Sequence, residues 1–281
     1  MLKQSLLVLG LLGAIVGLAQ TPPEKAPTAG LREIFPGVRV DPQAKVVEFD
    51  GIVPVNAHTK AGLKVFLETT VCTFDTKEHE SLVMTKAKPS QVHAALLLTG
   101  LKPGKPGAWK QENKAWIGVP PEGDGAEVVF LVKSPDGTVQ EADPTEWIIN
   151  IKDGRSLKQT SPDAGWVFAG SKLLPKKPSA AAPGEAVQTP AKQDAPKSGD
   201  AKDPAAREPA YYAADFEGTL VGLASFGNET IGWSAMYNPD SDKQAPEWVA
   251  SAERTPVVGT PITVRIRPKA DKKPDPPSTR P

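Results

Sequence analysis

The stretch "LPKKPSAAAPGEAVQTPAKQDAPKSGDAKDPAAREPA", residues 174–210, constrains the fold more than any other feature of the chain. Pro, Ala, Lys and Asp replace almost every large apolar side chain there, so the stretch has little to bury against the entropy cost of ordering it. It is expected to be a disordered linker. Two blocks remain, residues 31–173 and 211–268. The second lies near the size, about 60 residues, at which a lone core becomes marginal, and it holds several strand-like runs with little helical pattern. The expectation is one domain carrying a disordered insertion, with strands from both blocks completing one sheet. Two independent domains are the alternative.

Within the first block, "FPGVRVDPQAKVVEFDG" places two extended runs around Asp41, Pro42, Gln43 and Ala44, which reads as a hairpin. "LKVFLETTVC" alternates, with Leu63, Val65, Leu67 and Val71 on one side and Lys64, Glu68 and Thr70 on the other, so one face should be buried and one partly wet. "SLVMT" is a further short strand. Past Pro89, Ser90 is expected to cap a helix through "QVHAALLLTG", ended by Gly100. Leu97 and Leu98 extend its apolar surface beyond the Val92, Ala95, Leu96 and Thr99 stripe, so the helix should be largely buried. "AEVVFLVKSPDGTVQEA" forms a second hairpin turning at Pro135, Asp136 and Gly137. In "DPTEWIIN", Asp143 caps a short helix with Pro144 at its first position and Glu146 placed for a capping box.

Beyond the linker, "DFEGTLVGLASFGNETIGWSAMY" shows two runs around a turn at Gly227 and Asn228. Glycines 218, 222, 227 and 232 inside strand-like text suggest bulges or close backbone approach. "GTPITVRIRP" sets Ile262, Val264 and Ile266 opposite Thr263, Arg265 and Arg267. The fold class that follows is α+β and β-rich: an antiparallel or mixed sheet core with one or two short helices.

The ends speak to location. "MLKQSLLVLGLLGAIVGLAQ" places one positive charge before an apolar run and then small residues Gly17 and Ala19, the order of a secretory signal peptide over residues 1–19. The run is shorter than the ~20 apolar residues of a membrane-spanning helix, so cleavage near Gln20 is expected and stable membrane insertion is not. Residues 20–30 read as a disordered tether and 269–281 as a disordered tail. The expected location is periplasmic or secreted. Thirty-three Lys and Arg balance thirty-three Asp and Glu, leaving no summed field for a nucleic acid.

Chemistry-bearing residues gather in "CTFDTKEHESLVMTKAKPSQVHAALLLTG", residues 72–100. Cys72, His79 and His93 are the residue types that hold zinc or copper, with Glu78 and Glu80 as further ligands or outer acceptors. Their spacing is not diagnostic, and packing roles compete: a buried thiol for Cys72, a hydrogen-bonded core-edge imidazole for His93, a polar turn for His79. A hydrolase would need Ser81 or Cys72 beside one of these histidines, and the Gly-x-Ser-x-Gly elbow is absent. The tryptophans at 109, 116, 147, 166, 233 and 248 read either as a carbohydrate-stacking surface or as core.

Residues 47–58, 72–107, 146–171 and 211–233, including "VEFDGIVPVNAH", "EWIIN" and "WVFAGS", resemble the YdjY-type domain of exported bacterial proteins. The resemblance implies one family domain spanning the linker, and it supplies no mechanism. A ferredoxin-like label carried by some relatives does not transfer, because an iron–sulfur cluster is normally held by four cysteine thiolates and this chain has Cys72 alone. The function expected is a non-catalytic binding or structural module of the cell envelope, its partner an envelope protein or glycan. A metal-binding or redox accessory protein using Cys72, His79 and His93 is one alternative, and an enzyme on an envelope substrate is another.

Overall fold

Alternating runs from both blocks pair into one large sheet that curls and closes on itself. The computed structural model describes residues 30–54, 66–134, 136–174 and 211–270. The strands of this sheet are β1 (Arg32–Phe35), β2 (Val38–Asp41), β3 (Val46–Ile52), β4 (Thr69–Thr73), β5 (Ser81–Thr85), β6 (Gly125–Lys133), β7 (Val139–Ala142), β8 (Trp166–Val167), β9 (Thr219–Gly222), β10 (Ile231–Trp233) and β11 (Pro261–Pro268). Eight of them form a closed barrel in the order β3-β11-β6-β8-β10-β9-β4-β5, because β5 pairs back onto β3 through Gly51–Thr85 and Ile52–Met84. Neighbours are antiparallel except β4/β5 and β9/β10, which are parallel. The sheet is thus mixed, and closure removes edges that would otherwise stay unpaired.

Period-two burial builds the interior. Ile262, Val264 and Ile266 of β11 point inward with Phe49 of β3 and Phe130 of β6, all 0–2% exposed. Each such side chain contributes roughly 1.5–3 kcal/mol by leaving water. The opposite face of β11 carries Arg265 and Arg267, which join strands by charge. Arg265 donates to Glu48 through Nε (2.9 Å) and Nη2 (2.7 Å) and to Glu141, while Arg267 donates to Glu127 (2.7 Å). Arg39 adds a two-pronged bond to Asp50.

Among the described residues four helices decorate the barrel rather than one or two: α1 (Pro89–Leu98), α2 (Pro144–Trp147), α3 (Leu157–Thr160) and α4 (Ala213–Glu217). Helix α1 packs against β2, β3 and α4. Its cap differs from expectation. Lys88 is the capping residue with no side-chain bond, while Ser90, inside the first turn, gives both its N–H (2.7 Å) and its hydroxyl (2.5 Å) to Asp215 of α4. A carboxylate from a distant element binds this helix start more strongly than a hydroxyl from within it. Gly100 stops the helix at φ +84° as expected. Leu97 and Leu98 are exposed, because at 100° per residue they leave the Val92, Ala95 and Leu96 face that meets the sheet.

The Asp41 hairpin forms as expected: its carboxylate takes the N–H groups of Gln43 (3.0 Å) and Ala44 (2.9 Å). Asp143 caps α2 through Thr145, but the complete capping box sits at Ser156 and Gln159, with Glu146 turned to Lys158 and Arg254. Thr70, expected on a wet face, is fully buried, because β4 is central between β5 and β9 and covered on both faces. Leu63, Lys64, Val65 and Pro135 lie outside the described residues, as do 1–29, 175–210 and 271–281.

The chain from β9 to β10 does not make a simple hairpin. These strands run parallel, Val221 beside Ile231, so residues 223–230 must double back before β10 begins. Glu229 holds that excursion together. Its carboxylate, 1% exposed at the residue level, accepts the backbone N–H groups of Gly107 (3.1 Å), Gly227 (2.9 Å) and Asn228 (3.0 Å). Strands from both sides of 175–210 are interspersed in the barrel, and the chain leaves and re-enters at neighbouring points where Leu173–Leu174 pairs with Tyr211–Tyr212.

Candidate functional site

Parallel pairing of β4 and β5 brings two carboxyls together. Thr69 sits beside Ser81 in the register, so Glu68 and Glu80, each one residue earlier, meet at the same end of adjacent strands. The Glu68 N–H donates to the Glu80 carbonyl at 3.1 Å, and the Glu68 carbonyl accepts from Leu223 (3.0 Å) and Ala224 (2.9 Å) just past β9. The segment after β10 returns over this end: Trp248 gives its carbonyl to the Leu67 N–H at 2.8 Å. Together these elements wall a cleft of about 390 Å³, lined by Glu68, His79 and Glu80 on one side and by Tyr237, Gln244 and Trp248 on the other. That volume falls within the ~300–1,000 Å³ of small-molecule sites.

The electrostatics follow from this placement. Burial, then the neighbouring Glu68 carboxyl and its like charge, push Glu80 above the usual carboxyl range, against the pull of His79 and Lys77. Lys77 pairs with Glu68 at 2.9 Å and lies 3.9 Å over the Phe226 ring. His79 Nε2 stands 3.4 Å from Glu80 with its side chain 57% exposed. Across the cleft, Glu247 pairs with Lys152 at 3.1 Å. Trp248 is 4% exposed, and its indole N–H has no hydrogen-bond partner among the described residues.

The structure does not bring the three sequence candidates into one cluster. Cys72 is buried on β4, and burial pushes its thiol up from the ordinary value. His93 lies on α1 with Nδ1 2.9 Å from the Tyr212 hydroxyl, a second bond to the backbone of Gly170, and its ring edge-on to Phe168. Burial holds that imidazole below its ordinary value. Glu78 turns inward to accept the Thr76 N–H at 2.9 Å. Among the described residues, no group of three or more His, Cys, Asp or Glu side chains is placed to hold a metal ion.

Of the six tryptophans, 147, 166, 233 and 248 are buried, so the core reading fits them; only Trp116 is a large exposed ring, 44% accessible, with Lys243 stacked 4.8 Å away. Glu68 and Glu229 were not singled out by sequence. The signal for Glu68 was the parallel pairing of two short strands, which a sequence read as hairpins hides.

No helix among the described residues is long and apolar enough to cross a membrane. A family model described as the YdjY domain matches residues 38–267, and no curated protein or solved structure matches the chain. The chain belongs to the YdjY domain family.

Proposed function

We propose that this member of the YdjY domain family is an exported, non-catalytic binding module of the cell envelope, and that the Glu68–Glu80 cleft is its ligand site. The order of charge, apolar run and small residues over positions 1–19 supports export. The observation that carries the binding reading is the cleft itself, a recess of ligand size walled by Glu68 and Glu80 on adjacent strands and by Tyr237, Gln244 and Trp248 opposite. Non-catalytic binding is supported by the ion pair that holds Glu68 to Lys77 at 2.9 Å, which leaves that carboxylate engaged rather than free as a base or nucleophile. The partner is an envelope glycan or an envelope protein segment that fits the recess.

The test compares the full chain with Ala245→Trp and Ser241→Trp, which place a large ring at exposed positions of the cleft wall. Retention on purified envelope glycan and on an envelope protein fraction is measured for each. The reading expects the wild-type chain to bind one of the two fractions saturably, with at least a tenfold loss in both variants and unchanged melting temperatures. Equal retention by all three proteins overturns it.

A further inference from the structure

The hairpin of Ala108–Glu112 and Ala115–Val119 projects from the barrel: every residue from Lys110 to Ile117 is exposed, and among the described residues its two strands pair only with each other. Its two-residue turn has Asn113 at φ +49° and Lys114 at φ +67°, the geometry that makes Glu112 and Ala115 a hydrogen-bonded pair. Antiparallel pairs alternate, so Lys110/Ile117 and Ala108/Val119 are hydrogen-bonded too, while Trp116 and Gly118 turn their backbone N–H and C=O groups away from the first strand. No backbone hydrogen bond joins those groups to another described residue. The edge is also unguarded. β1 and β7, which pair on one side only among the described residues, carry charges: Arg32 and Glu33 on β1, whose register is irregular, and Glu141 on β7. The first hairpin strand carries Lys110 and Glu112. Ala115–Val119 carries no charge, and its Ile117, 45% exposed, lies on the face opposite the one where Gly118 meets Met236.

An open row of N–H and C=O groups beside apolar side chains is completed by another strand. We infer that this strand belongs to a second copy of the chain, added antiparallel about a two-fold axis at Ile117. That register pairs all 5 residues of the strand. Trp116 of each copy exchanges backbone hydrogen bonds with Gly118 of the other, and the two Ile117 side chains meet as a non-hydrogen-bonded pair, the closer kind. The large Trp116 ring thus stands opposite a residue with no side chain to obstruct it. Lys114 at each hairpin tip is carried towards Glu122 of the other copy, whose side chain is 66% exposed, so opposite charges meet at both ends of the joined strands. A formal net charge of zero leaves no summed repulsion between copies.

Two cysteine variants of the full chain test the register, since Cys72 is buried and takes no part. Ile117→Cys places two thiols directly opposite each other, with Cα atoms about 4.5 Å apart, and should give a disulfide-linked dimer on mild oxidation. Ala115→Cys leaves its two thiols roughly 14 Å apart along the paired strands and should not. Sedimentation velocity of the wild-type chain should show a dimer fraction that grows with concentration. Ile117→Lys, which sets like charges face to face, should weaken the dimer at least tenfold with an unchanged melting temperature. Equal cross-linking by the two cysteine variants, a wild-type chain that is monomeric at every concentration, or an undiminished dimer in Ile117→Lys overturns the inference. A monomeric wild type that loses retention on the envelope protein fraction through Ile117→Lys gives the edge to a strand of another protein, and the second copy is overturned in that case as well.

Discussion

Glu229→Ala removes the carboxylate that accepts backbone N–H groups from Gly107, Gly227 and Asn228 at 2.9–3.1 Å. The side chain is shut away from water, so the three donors have no ready replacement. Each buried donor left without a partner costs about 1–3 kcal/mol, or roughly 3–9 kcal/mol for three. Relief opposes this sum. Burial pushes the Glu229 carboxyl up from its ordinary range despite those donors, which shows that holding the charge inside is itself costly, and losing an uncompensated part of it returns several kcal/mol. A net loss of about 3 kcal/mol follows, equivalent to a fall of roughly 6–12 °C in Tm for a domain of this size. Glu229→Gln keeps the volume, and its single carbonyl oxygen can still serve Gly227 and Asn228. Its amide faces the Gly107 donor, so about one bond is lost, and because Gln also removes the buried charge the same relief applies, leaving its loss well below that of Glu229→Ala. Equilibrium urea unfolding followed by tryptophan fluorescence ranks the three proteins. A loss below about 1 kcal/mol in Glu229→Ala, or equal losses in the two variants, would refute the argument that donor count sets the cost.

Gly218→Ala should destabilise by about 1–3 kcal/mol in the same assay, since Gly218 sits at φ +77° and an added Cβ would stand 2.2 Å from Thr76 Oγ1. His93, held below its ordinary value of 6.5 by burial, disfavours the protonated ring in the folded state. Its contribution is therefore complete above that value and lost as pH falls through it towards the lower folded value; His93→Gln should flatten this part of the stability profile, which urea midpoints between pH 7.5 and 5 (on the order of one unit either side of an ordinary histidine) would reveal. Cys72, buried on β4, should react with a thiol reagent only after unfolding, so rapid labelling of the native chain would contradict its placement.

How much of this was legible depends on range. Period-two alternation located β11 and its inward Ile262, Val264 and Ile266, and turn chemistry located the Asp41 hairpin, because both are encoded within a few residues. Barrel closure was not legible. It rests on β5 returning to β3 and on two parallel contacts, and register between distant strands leaves no local mark. The same long-range pairing hid the cleft: Glu68 and Glu80 lie in unremarkable polar text until β4 and β5 are set side by side. Residue type drew the eye to Cys72, His79 and His93, yet only His79 lines the recess. The cap of α1 departs from the local signal for a related reason, since Asp215 reaches Ser90 from 125 residues further along the sequence.

The cleft as the binding site is tested most directly by the Trp248 indole N–H resonance in a ¹⁵N spectrum of the full chain during titration with triacetylchitotriose. The six indole signals can be told apart by single Trp→Phe variants, and Trp116, exposed on the hairpin Ala108–Glu112/Ala115–Val119, serves as the internal surface control. The account predicts a saturable shift of the Trp248 signal that Ala245→Trp abolishes, with Trp116 unmoved. A Trp248 signal that stays fixed while Trp116 shifts and saturates would place binding on the outer surface and contradict it.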